Sequence, residues 1–361
     1  MDQGNTTLSL TPQANSSHSS AAVSAAHLAI GVLLFSTFLV GLVGNGLYLW
    51  VLGLKMRRTV TTFLFLHLIS CYFLFTLLIP FFAIYVLLGF HWVFGTTMCK
   101  LLNACHSVGM FSCVFLLAFI SLDRYTFTCH PIWSRHHRTV PCARKLATGI
   151  WLVSLALSTP YLVFRETQME EGRIVCVNNY SHIGDWNGAE MQDQEQWIHL
   201  TIFTVWFLLG FLLPSCTIVG CYVRMGLEIK VKGLAQSGKP IKVMVASGIS
   251  FCVCWLPYHL YYGLTFYRTL PESVRSSLLI IYVVMSSVNN TFTPVLYLFI
   301  GGTFQKVLRT SLIALVKAAF DEDFSNDGSG VESSRRHRID VNSVEMAESL
   351  ESSRSQRYGC S

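Results

Sequence analysis

The chain has 361 residues, of which 52% are hydrophobic and only 13% charged, and its mean hydropathy is +0.48. Soluble domains carry roughly 25% Asp, Glu, Lys and Arg, so charge here is too scarce for a large water-facing surface, and the hydrophobic content excludes disorder throughout. The net charge of +6 comes without a basic stripe interleaved with aromatics, which argues against nucleic acid, and twelve scattered cysteines do not make a disulfide scaffold.

Residues 1–26 are rich in Ser, Thr, Asn and Ala, contain no Lys or Arg, and lack a signal-peptide pattern. They read as a disordered outer N-terminus with glycosylation sequons at Asn5 and Asn15. Long apolar runs follow at about 28–54, 60–88, 96–128, 144–164, 197–225, 241–266 and 276–300. Each reaches the roughly 20 residues that cross a bilayer as a helix. Only helices and closed barrels satisfy their own backbone in lipid, and runs this continuous are helices. The expected fold is therefore an all-α membrane protein, a seven-transmembrane helix bundle over 27–300.

Lys and Arg orient it. Fifteen lie on one side: Lys55, Arg57 and Arg58 after the first span, four between Arg135 and Lys145, five between Arg224 and Lys242, and Lys306, Arg309 and Lys317 after the seventh. The opposite loops hold only Arg165, Arg173, Arg268 and Arg275, with Lys100 at the mouth of the third span. The basic side reads as cytoplasmic and the N-terminus as extracellular. After Gly301-Gly302, residues 301–320 alternate apolar and basic positions at helical spacing, as in an amphipathic helix lying in the membrane interface. Residues 321–361 are acidic, Ser-rich and aromatic-poor, the composition of a disordered cytoplasmic tail. Cys360, one residue from the end, makes no prenylation box.

The span ends carry more specific signals. Asp123-Arg124-Tyr125 closes the third span and continues as Cys129-His130-Pro131-Ile132-Trp133; Gly44-Asn45 lies in the first, Trp151 in the fourth, and Pro214 with Tyr222 in the fifth. Cys254-Trp255-Leu256-Pro257 lies in the sixth and Thr293-Pro294-Val295-Leu296-Tyr297 in the seventh. This set, in this order, resembles the rhodopsin-like G-protein-coupled receptors over about residues 27–319. Thr59-Val60-Thr61-Thr62, His91-Trp92-Val93-Phe94-Gly95 and His130-Pro131-Ile132-Trp133 resemble the chemoattractant branch, which includes formyl-peptide, anaphylatoxin and chemerin receptors.

The resemblance implies a plasma-membrane receptor for an extracellular peptide or small protein, coupled to a heterotrimeric G protein of inhibitory type. It implies no cofactor and no metal. Cys99 and Cys176 would form a disulfide pinning the second outer loop over the bundle, the alternative being two free thiols. Asp123 would hold Arg124 at rest, and Arg124, once freed, would cap the G protein's terminal helix, with Tyr222 and Tyr297 stabilising the open form. Trp255, two residues before the Pro257 hinge, would be the toggle beneath the ligand pocket, relayed through Phe251, with Pro294 in the seventh span. His106 and Met110 would face the ligand pocket, and Trp206, Tyr258, Tyr262 and Phe266 would line an aromatic wall. Arg165 has two open readings, a partner for a peptide carboxylate or a flanking residue snorkelling outward. Ser107 and Trp206 stand where formyl-peptide receptors use an acid and an arginine, so that ligand class is not transferred.

Acidic residues crowd the second outer loop, consistent either with steering of cationic ligands or with plain solubility. Asn179 opens a third outer sequon, whereas Asn289-Asn290-Thr291 lies within a span and is not expected to carry sugar. Tyr72, Cys113 and Thr293 replace the Asp, Ser and Asn with which the family holds a sodium ion, so no sodium-sensitive resting state is expected. The tail serines are candidate sites for a receptor kinase and arrestin. Two alternatives share parts of this pattern. A scavenging receptor without strong coupling fits Tyr72 and Thr293 but not the intact Asp123-Arg124-Tyr125. A transporter would want charges or broken helices at mid-span. No metal-spaced cluster, Gly-x-Ser-x-Gly or phosphate loop suggests an enzyme.

Overall fold

The computed structural model describes residues 16–170, 172–180, 188–232, 239–264, 271–300 and 305–314. Asn5, Asn15, Phe266 and the 321–361 tail lie outside them, as do the side chains of Thr293, Pro294 and Tyr297. The chain divides into two units, Met1–Val307 and Leu308–Ser361. Of the second, residues 308–314 are described and are helical, with Leu308 buried and Leu312 and Ile313 exposed.

Seven helical spans are seen among the described residues. They are α1 (Ser16–Trp50), α2 (Val60–Leu87), α3 (Gly95–Cys129), α5 (Val140–Phe164), α6 with α7 (Gly188–Phe207 and Leu213–Lys232), α8 (Lys239–Leu264) and α9 (Glu272–Ile300), with a short α4 (Pro131–His137) after α3. Five of the spans, those from His27 to Lys55, Val60 to Leu87, Gly95 to Cys129, Val140 to Phe164 and Gln196 to Lys232, are long and apolar enough to cross a membrane. The starts are encoded locally. Thr59 and Thr62 form a reciprocal capping box at the head of α2, and the Thr139 hydroxyl accepts from Cys142 N at the head of α5. The tilted α3 is the central post, packing on α2, α5 and α7; α1 lies against α2 and α9, and α8 against α9. Phe111 and Leu116 of α3, Tyr72 of α2, and Phe251 and Trp255 of α8 are buried, while leucines and valines such as Leu39, Leu152 and Val219 are exposed, as lipid-facing positions are.

One irregularity is dictated by a single residue. Pro214 has no N–H to donate and its ring would strike the carbonyl of Gly210. The helix opens into a π segment, Leu208–Leu212, that accommodates it. Gly210 then approaches α3 so closely that a Cβ there would lie 2.8 Å from the Phe111 ring. A second π segment, Val51–Lys55, extends α1.

A two-stranded antiparallel hairpin was not expected from the sequence. Strands β1 (Arg165–Glu170) and β2 (Arg173–Asn178) pair with Arg165 opposite Asn178, turned by Gly172 at φ +78°. The Cys99–Cys176 disulfide ties β2 to the top of α3. Trp92 N donates to Ile174 O (2.7 Å), Ile174 N to His91 Nδ1 (3.1 Å), and the Arg173 guanidinium to Gly89 O (2.8 Å), clasping the α2–α3 loop to the strand.

Because Phe111 is fully buried and cannot retreat, Gly210→Ala is expected to destabilise the bundle by about 1–3 kcal/mol through overpacking. A thermal shift of the purified protein in detergent checks this, and Phe111→Leu in the same chain is expected to recover most of the loss.

Candidate functional site at the mouth of the bundle

The hairpin roofs a cavity of about 1000 Å³ bounded by α2, α3, α8, α9 and the start of α6. Its lining includes Tyr85, Trp92, Asn103, Arg165, Glu170, Arg173, Tyr261, Tyr262, Arg275 and Tyr282. Among the described residues three arginines against one glutamate make this lining favour an anionic group, not the cationic ligand that the steering reading draws from the loop's acids. Of those acids, Glu166 accepts from the Asn179 amide (2.9 Å) and Glu170 lines the cavity; Glu171 and Asp185 lie outside the described residues. Asn179 itself is half-buried and lines the cavity, so sugar there would need its amide released.

Arg165 is the last turn of α5 and the first residue of β1, and that junction turns it inward. Only 8% of it is exposed, which rules out the snorkelling reading. Its guanidinium donates to Cys176 O at 2.8 Å and Tyr262 Oη at 2.7 Å and lies 5.5 Å over the Tyr161 ring. Nε has no acceptor among the described residues, and no described carboxylate is ion-paired to it. Burial disfavours its charged form, but the oxygens of Tyr262 and Tyr161 outweigh this and hold its pKa above the ordinary arginine value. It remains a cation facing a cavity.

The other expected pocket residues divide by depth. Tyr262 lines the cavity; Tyr258 sits below it, 2% exposed and hydrogen-bonded to Tyr161 at 3.0 Å. His106 borders a second, smaller cavity and pairs through Nε2 with Tyr282 Oη at 2.9 Å. Met110 and Trp206 do not line the mouth. Met110, 1% exposed, is packed beside Gly210, where the π segment brings the fifth span against α3. Trp206 turns to α5, because its indole N–H needs an acceptor and finds Leu157 O at 3.1 Å, with the ring stacked on Tyr161 at 4.7 Å. Arg173, Arg275, Tyr85, Tyr261 and Tyr282 enter the site without having been singled out from the sequence; the arginines counted there only as loop charges.

Beneath the mouth, Trp255 is 1% exposed among Phe75 (5.5 Å), His106 (5.6 Å), Tyr258 (5.6 Å) and Phe251 (6.0 Å). Pro257 lies within α8, two residues on. A neutral polar layer follows. Asn45 donates to Thr76 Oγ1 (3.1 Å) and Asn290 O (3.3 Å), Thr76 to Tyr72 O (2.9 Å), and Ser250 to Asn289 Oδ1 (3.1 Å). Asn289 and Asn290 are buried here. Tyr72 and Cys113 are both fully buried. A hard cation needs oxygen ligands and a carboxylate; a bulky phenol and a thiol do not fit one. Among the described residues no group of three His, Cys, Asp or Glu side chains converges as metal ligands.

At the basic end of the bundle Asp123 is 7% exposed. Its main partner is not its neighbour. Arg138 holds it with two bonds, 2.7 and 3.1 Å, whereas the Arg124 Nε is 3.7 Å away, so the expected Asp123–Arg124 restraint is the weaker contact. Arg124 instead donates to Thr61 Oγ1. Tyr125 turns outward to His130 Nε2 (3.3 Å), and Tyr222 Oη accepts from Ser121 at 3.1 Å, one turn from Arg124. Arg138 is marked by no local pattern beyond its charge; the course of the loop after α4 brings it to Asp123.

Residues 44–297 match the family described as 7 transmembrane receptor (rhodopsin family). The chain is 46% identical over 303 residues to the Probable G-protein coupled receptor 33 of Homo sapiens, covering 83% of this chain and 90% of the relative. It is 47% identical over 299 residues to that of Mus musculus, covering 82% and 88%. It is 36% identical over 291 residues to the Chemerin-like receptor 1 of Bos taurus, covering 79% and 80%.

From the neutral layer around Tyr72, the melting temperature of the purified protein is expected to be equal in sodium and choline chloride at matched ionic strength. A rise specific to sodium would show that this layer holds the ion after all.

Proposed function

The chain belongs to the rhodopsin family of seven-transmembrane receptors, of chemoattractant-like type, and on that premise we propose how its two ends divide the work. Membership makes it a multi-pass plasma-membrane receptor with an extracellular ligand and a G-protein partner, and not an enzyme. In our reading the N-terminus and the hairpin face outside and the fifteen-residue basic side faces the cytoplasm, as the Lys and Arg asymmetry supports. The cavity takes the acidic end of a peptide or small protein. Asp123, Arg124 and Tyr125, with Tyr222 and Tyr297, engage a G protein of inhibitory type, and Trp255 with Phe251, Pro257 and Pro294 forms the switch between the ends. Arrestin and a receptor kinase act on the tail, and residues 301–320 lie at the inner membrane interface.

The observation that carries the ligand reading is Arg165. A cation buried at a cavity wall without a carboxylate is costly, and an incoming carboxylate supplies the missing charge with bidentate geometry. Similarity to a chemerin-like receptor supports a chemoattractant ligand. The scavenging alternative draws on Tyr72 and Thr293 and predicts binding without nucleotide exchange.

Two variants test the scheme in nanodiscs with an inhibitory heterotrimer and a panel of peptides with free or amidated C-termini. Arg124→Ala is expected to abolish nucleotide exchange while leaving peptide binding within about twofold. Arg165→Gln is expected to weaken a free-acid peptide by roughly ten- to a hundredfold, from loss of a charge-assisted pair of about 1.5–3 kcal/mol, and to leave the amidated peptide unchanged. Equal losses for both peptides would remove Arg165 as the carboxylate partner.

A further inference from the structure

Asp123 has two cations beside it, and they are not equivalent. Arg138 donates Nε to Oδ1 at 2.7 Å and Nη2 to Oδ2 at 3.1 Å, while the Arg124 Nε stands 3.7 Å from Oδ2. Arg138 and Arg124 also share one acceptor, Thr61 Oγ1 on α2, which Arg138 reaches at 2.7 Å. The Arg138 guanidinium lies 5.3 Å over the Phe127 ring, and its backbone N–H donates to Ser134 O at the end of α4, so the loop presents it from a fixed frame.

We infer that Arg138 is a positioning residue, the standing counter-ion of Asp123, which lets Arg124 leave for the G protein without stranding a buried carboxylate. This rests on the receptor reading above and extends it to a residue outside the Asp123-Arg124-Tyr125 triplet. A carboxylate with only 6% of its side chain exposed must keep a cation. Were Arg124 its sole partner, freeing Arg124 would leave that charge uncompensated. With the bidentate bond already made by Arg138, Asp123 holds Arg124 only by a longer contact of 3.7 Å. The opposite role, a clamp on Arg124, is disfavoured by the geometry: among the described residues Arg138 meets Arg124 through shared acceptors, where two like charges repel. Its removal should therefore tighten the Asp123–Arg124 pair and lower signalling.

The test uses the full chain in nanodiscs, with Arg138→Ala, Arg138→Lys, Asp123→Asn and the double variant Asp123→Asn with Arg138→Ala. Agonist-free nucleotide exchange on an inhibitory heterotrimer and the melting temperature of each receptor are measured. Arg138→Ala is expected to slow exchange roughly threefold or more, a coupling of the size seen between contacting charged residues. Arg138→Lys should fall between, because a point charge keeps the sign but loses the fork. In the Asp123→Asn background Arg138→Ala should change exchange by less than about twofold. Unchanged or faster exchange in Arg138→Ala, or an equal slowing in both backgrounds, overturns the inference. A parent chain that drives no exchange overturns the receptor reading instead. In that event the melting temperatures still report on the pair: a drop with Arg138→Ala that persists undiminished in the Asp123→Asn background would show that Asp123 and Arg138 are not coupled.

Discussion

The spans of this bundle sit in lipid rather than water, and almost everything else about the molecule answers to that. In lipid each backbone group must be satisfied within its own segment, which makes the spans helical, and each ionised side chain must find compensation inside the protein or stay at an end. The described spans comply: Asp123 and Arg124 lie at one end, Arg165 at the other, and the layer between is built from Asn, Ser, Thr and Tyr.

The two ends meet the requirement in opposite ways. At the basic end a buried carboxylate is over-compensated, with Arg138 in bidentate contact and Arg124 close by. At the mouth a buried guanidinium is under-compensated, solvated by a carbonyl and a phenol. In the proposed reading, the surplus of cation at one end serves a partner's helix and the deficit of anion at the other serves a ligand. Neither end is at its own electrostatic optimum, and this is where binding free energy can act.

The bundle itself is legible in the sequence because its signal is long: seven apolar runs and a one-sided distribution of Lys and Arg specify spans and direction whatever the local details. The contact of Trp255 with Phe251 follows from spacing along a single helix, whereas the Cys99–Cys176 bond is legible only through the family resemblance. What is not legible depends on rotation and on loop paths. Trp206 reads as a pocket residue until its N–H is required to find Leu157 O, and Met110 until Pro214 forces the π segment that brings Gly210 against α3. The hairpin β1–β2 carries no strong alternation, since its strands face a cavity on one side and loops on the other. Arg138 is fifteen residues from Asp123, and nothing in a linear pattern pairs them.

The mouth and the switch share one helix face. Tyr262, Tyr258, Trp255 and Phe251 follow one another at intervals of four, three and four residues along α8, which stacks them in a single row. Their rings are in contact from Tyr262 to Tyr258 (4.7 Å), to Trp255 (5.6 Å) and to Phe251 (6.0 Å). Arg165 holds the top of that row through Tyr262 Oη. In the proposed reading, an anion that captured the guanidinium would compete with the phenol for it, and charge neutralisation at the mouth would release the first ring of a row that ends below Pro257. Because these interiors are close-packed, Tyr258 cannot follow that ring without displacing Trp255. The electrostatic deficit at the mouth and the packing of α8 are thus parts of one device, joined at the hydrogen bond between Arg165 and Tyr262.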